Sequence, residues 1–297
     1  MRINVLSRIR APLAACFLCL GVALTAAGIT EKARQAPREI LGRELEPGQA
    51  AVWYLYHSGW AVKTANHLLI CDYTEPPKRP TRRSLEFGSI DPAEIVDQNV
   101  IVFVSHSHDD HFDPLILEWR AAVKNIRYIW GWEGAGLPQD ARFGKERRTI
   151  TVDGLEILNI YYDFDGITES AFLIKADGLT ILHAGDHGHS KGVTNPVFKD
   201  NILYLAKKAP RLDLFFTPTY GGEIEAMRAL KPRAVFPMHD GGNERQYARF
   251  AQKVKALGLD AEAGAAEKPG ARFFYSQGKP TVFWANETAN NNPRQDR

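Results

Sequence analysis

Residues 100–111 combine the pattern of a buried strand with a dense group of ionisable side chains. The run Val100–Val104 contains only β-branched and aromatic residues, which is typical of a strand buried on both faces. Three histidines and two aspartates follow within the next seven residues: His106, His108, Asp109, Asp110 and His111. Burial of such groups is strongly unfavourable unless they are paired or bind a metal. The segment therefore predicts a strand that ends at a metal site.

Most of the remaining histidines also follow apolar, strand-like runs. The chain has nine histidines. Seven lie in three places: the 106–111 segment, the group His183, His187 and His189 around Asp186, and His239. Loops that meet at one edge of a sheet sandwich would bring these side chains together. Nitrogen and oxygen donors without a thiolate suit zinc, manganese or iron.

Strand-like runs dominate the first half of the chain, and strands alternate with helices in the second half. We predict strands at 51–56, 67–71, 100–104, 126–130, 148–152, 155–161, 170–175, 179–183, 212–216, 234–237, 272–275 and 281–284. We predict helices at 113–124, 201–209, 223–230 and 243–257. Asp153-Gly154 and Asp177-Gly178 suit tight hairpin turns. This order favours two sheets packed face to face with helices outside them.

The N-terminal residues differ from the rest of the chain. Three arginines precede an apolar run at 11–27 that ends in small residues, which is the layout of a secretory signal peptide over residues 1–28. An uncleaved membrane anchor is the alternative, because 11–29 is nearly as long as the ~20 residues that span a bilayer. We therefore expect export, to the periplasm or out of the cell. We further expect a linker at 29–48, one domain at 49–285 and a disordered tail at 286–297.

Charge and cysteine content exclude several kinds of site. Loss of residues 1–28 would remove three arginines and leave 34 basic and 35 acidic residues, a formal charge of −1. That balance argues against a nucleic-acid partner, which demands a basic surface. Cys71 would be the one remaining cysteine, so neither an internal disulfide nor a cysteine-rich zinc site can form. We expect a small-molecule substrate and no membrane contact after signal cleavage.

Three motifs together resemble the metallo-β-lactamase superfamily of metal-dependent hydrolases. They are His106-x-His108-x-Asp110-His111, Ala184-Gly185-Asp186 and Phe236-Pro237-Met238-His239. The resemblance covers about residues 50–285, and Asp72 looks like the aspartate of the superfamily's first motif. Together, His57-Ser58-Gly59 and His183-Ala184-Gly185-Asp186 resemble the branch that contains L-ascorbate-6-phosphate lactonase. The resemblance implies an α+β protein, a four-layer αββα sandwich with a dinuclear site at one edge.

The resemblance also implies a set of ligands for two divalent metal ions, with zinc favoured and manganese or iron as alternatives. His106 and His108 would bind the first ion. Asp110, His111 and His239 would bind the second, and Asp186 would bridge the two.

One part of the superfamily pattern is missing. The superfamily places a third histidine for the first metal before the strand predicted at 170–175, and this sequence has none there. The segment offers Asp163, Asp165 and Glu169 instead, and we expect Asp163 or Asp165 to replace that imidazole. The exchange would add a negative charge and a hard oxygen, which shifts the preference toward manganese or iron. The alternative is an incomplete first site and a single bound metal.

The predicted chemistry is metal-assisted hydrolysis. A metal-bound hydroxide would attack an ester, lactone, amide or phosphoester bond, and Asp110 and His239 would act as catalytic groups that handle protons. A true β-lactamase is one alternative. An exported, non-catalytic metal- or ligand-binding protein on a degenerate hydrolase scaffold is another, and metal content would distinguish it.

The remaining polar candidates carry weaker expectations. His57 either lines the pocket or hydrogen-bonds to a ligand, and Tyr220 either contacts substrate or packs. We expect His187 near the site and His183 in the core. We expect His67 and His189 on the surface.

Overall fold

The computed structural model describes residues 41–284 except 79, 135, 139, 165 and 190–194. The predicted signal or anchor segment, the first part of the linker and the predicted tail lie outside the described residues, as does Asp165. Those expectations stay predictions. Among the residues that are described, no helix has the length and apolarity needed to cross a membrane.

Two sheets account for all the described strands. In chain order the strands are β1 Gln49–Tyr56, β2 Gly59–Lys63, β3 Leu68–Cys71, β4 Val100–Val104, β5 Ile126–Trp130, β6 Ala141–Arg142, β7 Thr149–Val152, β8 Leu155–Phe164, β9 Ile167–Ala176, β10 Leu179–His183, β11 Leu212–Pro218, β12 Pro232–Met238, β13 Glu262–Ala263, β14 Arg272–Ser276 and β15 Val282–Trp284. The first sheet has the order β15-β14-β1-β2-β3-β4-β5-β6. The second has the order β13-β12-β11-β10-β9-β8-β7.

Helices cover the outer faces of both sheets. The described α-helices are α1 Phe198–Lys208, α2 Glu223–Leu230 and α3 Arg245–Ala256. Their buried side chains, which include Leu205, Met227 and Phe250, pack on the second sheet. A 3-10 helix, Pro114–Ala121, packs Trp119 on the outer face of the first sheet. The result is the predicted αββα sandwich.

The main core lies between the two sheets. Trp60 of the first sheet packs against Phe216 and Phe236 of the second, with ring centroids 5.3 and 5.1 Å apart. Within β4, Ile101 and Phe103 face this core, while the alternate valines face the outer layer. β4 is therefore buried on both faces, which explains its unbroken apolar run.

Several elements differ from the sequence prediction. The helix predicted at 113–124 is a 3-10 helix, whose buried residues Ile116 and Trp119 have its three-residue spacing. Asp113 caps it as its composition indicates, since Asp113 Oδ1 accepts the Leu115 N–H at 2.9 Å. No strand is predicted between 51–56 and 67–71, but the structure has β2 there, paired with β1 and β3 and buried throughout. The two-residue strands β6 and β13 are too short to give a pattern.

The parallel strands set the position of the polar side chains. β3, β4 and β5 run parallel in the first sheet, and β10, β11 and β12 run parallel in the second. The carboxyl ends of parallel strands meet at one edge, where ligands of α/β sheets commonly bind. Residues that follow β3, β4, β10 and β12 are therefore placed together.

Candidate metal centre

Loops at the carboxyl ends of four strands carry most of the donors. Asp72 follows β3, the 106–111 segment follows β4, Asp186 follows β10 and His239 follows β12. The structure thus brings together residues that lie up to 167 positions apart in the sequence. With His57 and Glu169, donors of the 106–111 segment, Asp186 and His239 form three overlapping groups, within each of which all donor atoms lie within 4.8 Å of one another. The groups are His106, His108 and Glu169; His106, His111 and Asp186; and His57, Asp110, His111 and His239.

The first group pairs two predicted histidines with a glutamate. His106 Nε2 lies 2.8 Å from His108 Nδ1 and 4.0 Å from Glu169 Oε1. Glu169 belongs to β9 and is 1% exposed, so its carboxylate is held inside the protein. It directly precedes Ser170, in the segment where the resemblance led us to expect a ligand of the first metal.

Asp163 does not join this group. Its side chain is 41% exposed, and its carboxylate accepts hydrogen bonds from Lys145 Nζ at 2.9 Å and Thr168 Oγ1 at 3.2 Å. The register of the β8–β9 hairpin explains this, because Glu169 is paired with Tyr162 rather than with Asp163. Successive side chains of a strand point to opposite faces, so Tyr162 shares the face of Glu169 and Asp163 takes the other. The expectation that Asp163 lies with the donors is therefore not met, whereas Glu169 does lie with His106 and His108, and Asp165 is outside the described residues.

Asp186 lies between the donors predicted for the first metal ion and those predicted for the second. Its Oδ1 is 3.0 Å from His111 Nε2, and its Oδ2 is 3.2 Å from His239 Nε2. His239 Nε2 also lies 3.4 Å from Asp110 Oδ2. Asp186 shares a group with His106 of the first position as well. This is the placement that a bridging carboxylate requires.

Three buried atoms at the centre have no hydrogen-bond partner among the described residues. They are Glu169 Oε2, His111 Nε2 and Asp186 Oδ1; the last two lie 3.0 Å apart but do not form a hydrogen bond. Buried polar atoms are nearly always satisfied in folded proteins. An imidazole nitrogen and carboxylate oxygens that converge without partners fit divalent cations, which accept these donors.

A buried aspartate holds the donors of the 106–111 segment in place. Asp72 Oδ1 accepts the Ser105 N–H at 2.7 Å, and Asp72 Oδ2 accepts Ser105 Oγ–H and His111 Nδ1–H, both at 2.7 Å. With a proton held on Nδ1, a neutral His111 would present the lone pair of Nε2 to a cation bound beside Asp186. Carboxylates commonly orient metal-binding histidines in this way.

The sequence profile of the Beta-lactamase superfamily domain matches residues 51–239. The chain belongs to the metallo-β-lactamase superfamily of metal-dependent hydrolases. The resemblance found in the sequence motifs is thereby confirmed.

Curated relatives agree with this assignment. A metal-dependent hydrolase of Thermococcus kodakarensis is 25% identical over 205 residues, which cover 63% of this chain and 83% of the relative. Another, from Opitutus terrae, is 25% identical over 233 residues, 69% of this chain and 92% of the relative.

Solved structures share the fold. A metallo hydrolase of the archaeon Ignicoccus hospitalis superposes with a TM-score of 0.55 at 17% identity, over 77% of this chain and 99% of the other. A diiron β-hydroxylase of Streptomyces venezuelae gives a TM-score of 0.51 at 13% identity, over 82% of this chain and 55% of the other. At these identities the likeness concerns the fold alone.

Burial and charge shift the ionisation of this superfamily member's donors. Burial raises the pKa of Glu169 to about 7, and the neighbouring carboxylate of Asp186 adds to the shift. Burial opposes the charged form of His239, but Asp110 and Asp186 outweigh it and raise its pKa to about 9. At neutral pH and without a cation, His239 therefore keeps its proton, whereas Glu169 is close to half ionised.

Other polar residues around the centre fall into distinct roles. Tyr220 Oη–H donates to the Asp186 carbonyl at 2.6 Å. His187, next to Asp186, is buried with its Nε2 3.1 Å from Asn201 Nδ2, and His183 lies in the core as expected. The surface prediction for His67 is wrong. Its ring is buried at the opposite end of the sheets, with Nδ1 3.1 Å from Asp177 Oδ2.

Two site residues were missed or left open by the sequence. Glu169 is the one acidic residue inside β9 and precedes the apolar run 171–174. A single acid in a largely apolar strand is a signal that could have identified it. His57, in the turn between β1 and β2, has Nε2 3.2 Å from Asp110 Oδ2. No local pattern around His57 indicates that contact.

Proposed function

We propose that this hydrolase holds two divalent cations and cleaves an ester, lactone, amide or phosphoester bond of a small molecule. The observation that carries the proposal is the convergence of eight donor-bearing side chains in three overlapping groups. The unpartnered buried atoms at their centre support it further.

The donors divide naturally between two positions. His106, His108 and Glu169 would hold the first cation, and Asp110, His111 and His239 the second, with Asp186 shared. Glu169 gives the first position two carboxylates and two imidazoles. Hard, charged oxygen donors favour manganese or iron relative to a site of three histidines, so we propose one of these as the native metal.

Exposure of the donors indicates where substrate approaches. The side chains of His106 and His111 are fully buried, whereas His239 is 25% and Asp110 39% exposed. Cations bound here would lower the pKa of a water molecule and polarise the scissile oxygen. Asp110 lies at the open side, where its carboxylate can accept a proton from water and return it to the leaving group. Tyr220, whose hydroxyl fixes the Asp186 backbone, borders the same opening.

Metal content of paired variants tests this proposal. The wild-type protein, reconstituted with Mn²⁺, Fe²⁺ or Zn²⁺, should bind two ions and hydrolyse a chromogenic ester or phosphodiester, and chelation should abolish turnover. Glu169→Ala should bind one ion fewer. Asp163→Ala, which removes a carboxylate outside the cluster, is the matched control and should keep both.

Two results would contradict the proposal. One is loss of an ion in Asp163→Ala with no loss in Glu169→Ala. The other is full metal occupancy without turnover of any ester, lactone, amide or phosphodiester probe, which would indicate a binding protein on a hydrolase scaffold. Turnover of the β-lactam nitrocefin alone would identify a true β-lactamase.

A further inference from the structure

His57 joins the β1–β2 turn to the loop that follows β12. Its backbone N–H donates to Tyr54 Oη at 2.8 Å. Its carbonyl accepts Tyr247 Oη–H at 2.9 Å and the backbone N–H of His239 at 3.3 Å. The backbone of His57 therefore fixes the backbone of His239, a donor of the second position.

The side chain of His57 has one tautomer compatible with its contacts. The Gly241 N–H donates to His57 Nδ1 at 3.1 Å. A backbone amide cannot give up its proton, so Nδ1 must present a lone pair. A neutral imidazole carries one N–H, and here it is left on Nε2. Because Nε2 lies 3.2 Å from Asp110 Oδ2, that N–H donates to the carboxylate.

Two other assignments fit the geometry less well. His57 falls in the same donor group as Asp110 and His239, but an Nε2 that bears a proton has no lone pair for a cation. Asp240 could draw the proton to Nδ1, yet its Oδ1 is 3.7 Å away, beyond hydrogen-bond distance. That oxygen accepts the Gly242 N–H at 2.8 Å instead.

We propose that His57 is a positioning residue of the second metal position and not one of its ligands. This inference rests on the proposed function. The His57 side chain aims the Asp110 carboxylate, and its carbonyl holds the backbone of His239. A carboxylate oxygen can accept one hydrogen bond and still ligate, because it has two lone pairs.

The contact matters because Asp110 is the most exposed of the donors just named. A half-exposed aspartate is free to rotate its carboxylate unless a neighbour restrains it, and ordering such a side chain lowers its conformational entropy. Backbone strain supports the same view. His57 and His239 both adopt left-handed φ angles, +52° and +65°, which side chains other than glycine adopt where surrounding contacts impose them.

Two substitutions separate positioning from ligation. His57→Gln keeps an N–H donor near the place of Nε2, whereas His57→Ala removes it. Both keep the carbonyl that holds His239, and both place a non-glycine residue at the same φ. Titration of the metal-free full-length protein with Mn²⁺ and with Co²⁺ gives stoichiometry, two dissociation constants and, for Co²⁺, a spectrum that reports coordination number.

For His57→Ala, we expect two ions at saturation, an unchanged first dissociation constant and a second constant weakened by about 10–100-fold. His57→Gln should lie closer to wild type, with an unaltered Co²⁺ spectrum. The inference is overturned if His57→Ala binds the second ion as tightly as wild type. It is also overturned if both variants lose the second ion and the spectrum shows a missing ligand. A wild-type protein that never binds two ions would overturn the proposed function itself, so the two failures are distinguishable.

Discussion

Proton competition at Glu169 makes a quantitative prediction about the first metal position. The pKa of this carboxyl is about 7, because burial and the charge of Asp186 both disfavour its ionised form. A cation can use Glu169 as a ligand only after the proton has left. Affinity should therefore rise with pH up to about 7 and level off above it.

The size of the effect follows from the pKa. At pH 5.5, about 1.5 units below this pKa, the ionised fraction of Glu169 is about 30-fold lower than at pH 8. Metal binding should therefore be weaker at pH 5.5 by about 2 kcal/mol. Glu169→Gln keeps the size of the side chain but has no proton to lose. At pH 8 this variant should bind the metal more weakly than wild type does. Between pH 8 and pH 5.5 its binding free energy should fall by about 2 kcal/mol less than that of wild type.

Calorimetric titration of the metal-free protein with Mn²⁺, in buffers of different ionisation enthalpy, measures both affinity and proton release. Near pH 6 the wild-type protein should release about one proton more than Glu169→Gln when the first ion binds. Glu156→Gln is a matched control, because that side chain is half-exposed and paired with Lys175 on the same sheet. Contributions from the other ligands cancel in the comparison. Parallel affinity curves for wild type and Glu169→Gln would refute the reasoning.

Two further predictions concern the framework. Asp177 accepts hydrogen bonds from Thr64 Oγ1 at 2.6 Å and from the Asn66 N–H at 2.9 Å. Burial alone would raise the pKa of Asp177, but these hydrogen bonds outweigh burial and lower the pKa to about 2. Asp177→Asn should lower the free energy of unfolding by about 1–2 kcal/mol after allowance for solvent screening. The loss should be present above pH 4 and should fade as the pH falls toward 2. Equal urea midpoints for the variant and wild type at pH 7 would contradict this. Gly185→Ala, at φ +55°, would place a Cβ 2.8 Å from Ser105 Cβ and 2.8 Å from the Ser170 carbonyl oxygen. Urea unfolding should show a free energy of unfolding lower by about 1–3 kcal/mol. A variant as stable as wild type would refute the clash.

The sequence predicts the part of the centre that is local in the chain. The apolar run of β4 followed by the 106–111 segment places four donors at one strand end, and the strands before Asp186 and His239 place two more. These predictions succeed because the polar residues directly follow strands that are parallel in the structure.

Glu169 could not be placed in the same way, because it lies within a strand and not after one. Its direction depends on the hairpin register, in which Asp163 pairs with Thr168 and Glu169 with Tyr162. Proximity in sequence could not rank Asp163 and Asp165 against Glu169, since a shift of one residue in the register reverses which face a side chain occupies. Strand β2 escaped prediction because both of its faces are buried, so it has no alternation.

The donors and the main polar link between the sheets lie at opposite ends of the strands. The donors follow the carboxyl ends of β4, β10 and β12, whereas Asp177 precedes β10 and binds the turn before β3. Strained residues occur at both ends. Among the described non-glycine residues with left-handed φ, His57, Asp72 and His239 lie at the metal end, and Asp153, Asp177 and Lys231 lie at the other. Each such residue costs about 1–2 kcal/mol unless its contacts offset the strain. The remote link between the sheets can maintain the sandwich while the metal end holds strained loops, so stability and ligand geometry should respond separately to substitutions at the two ends.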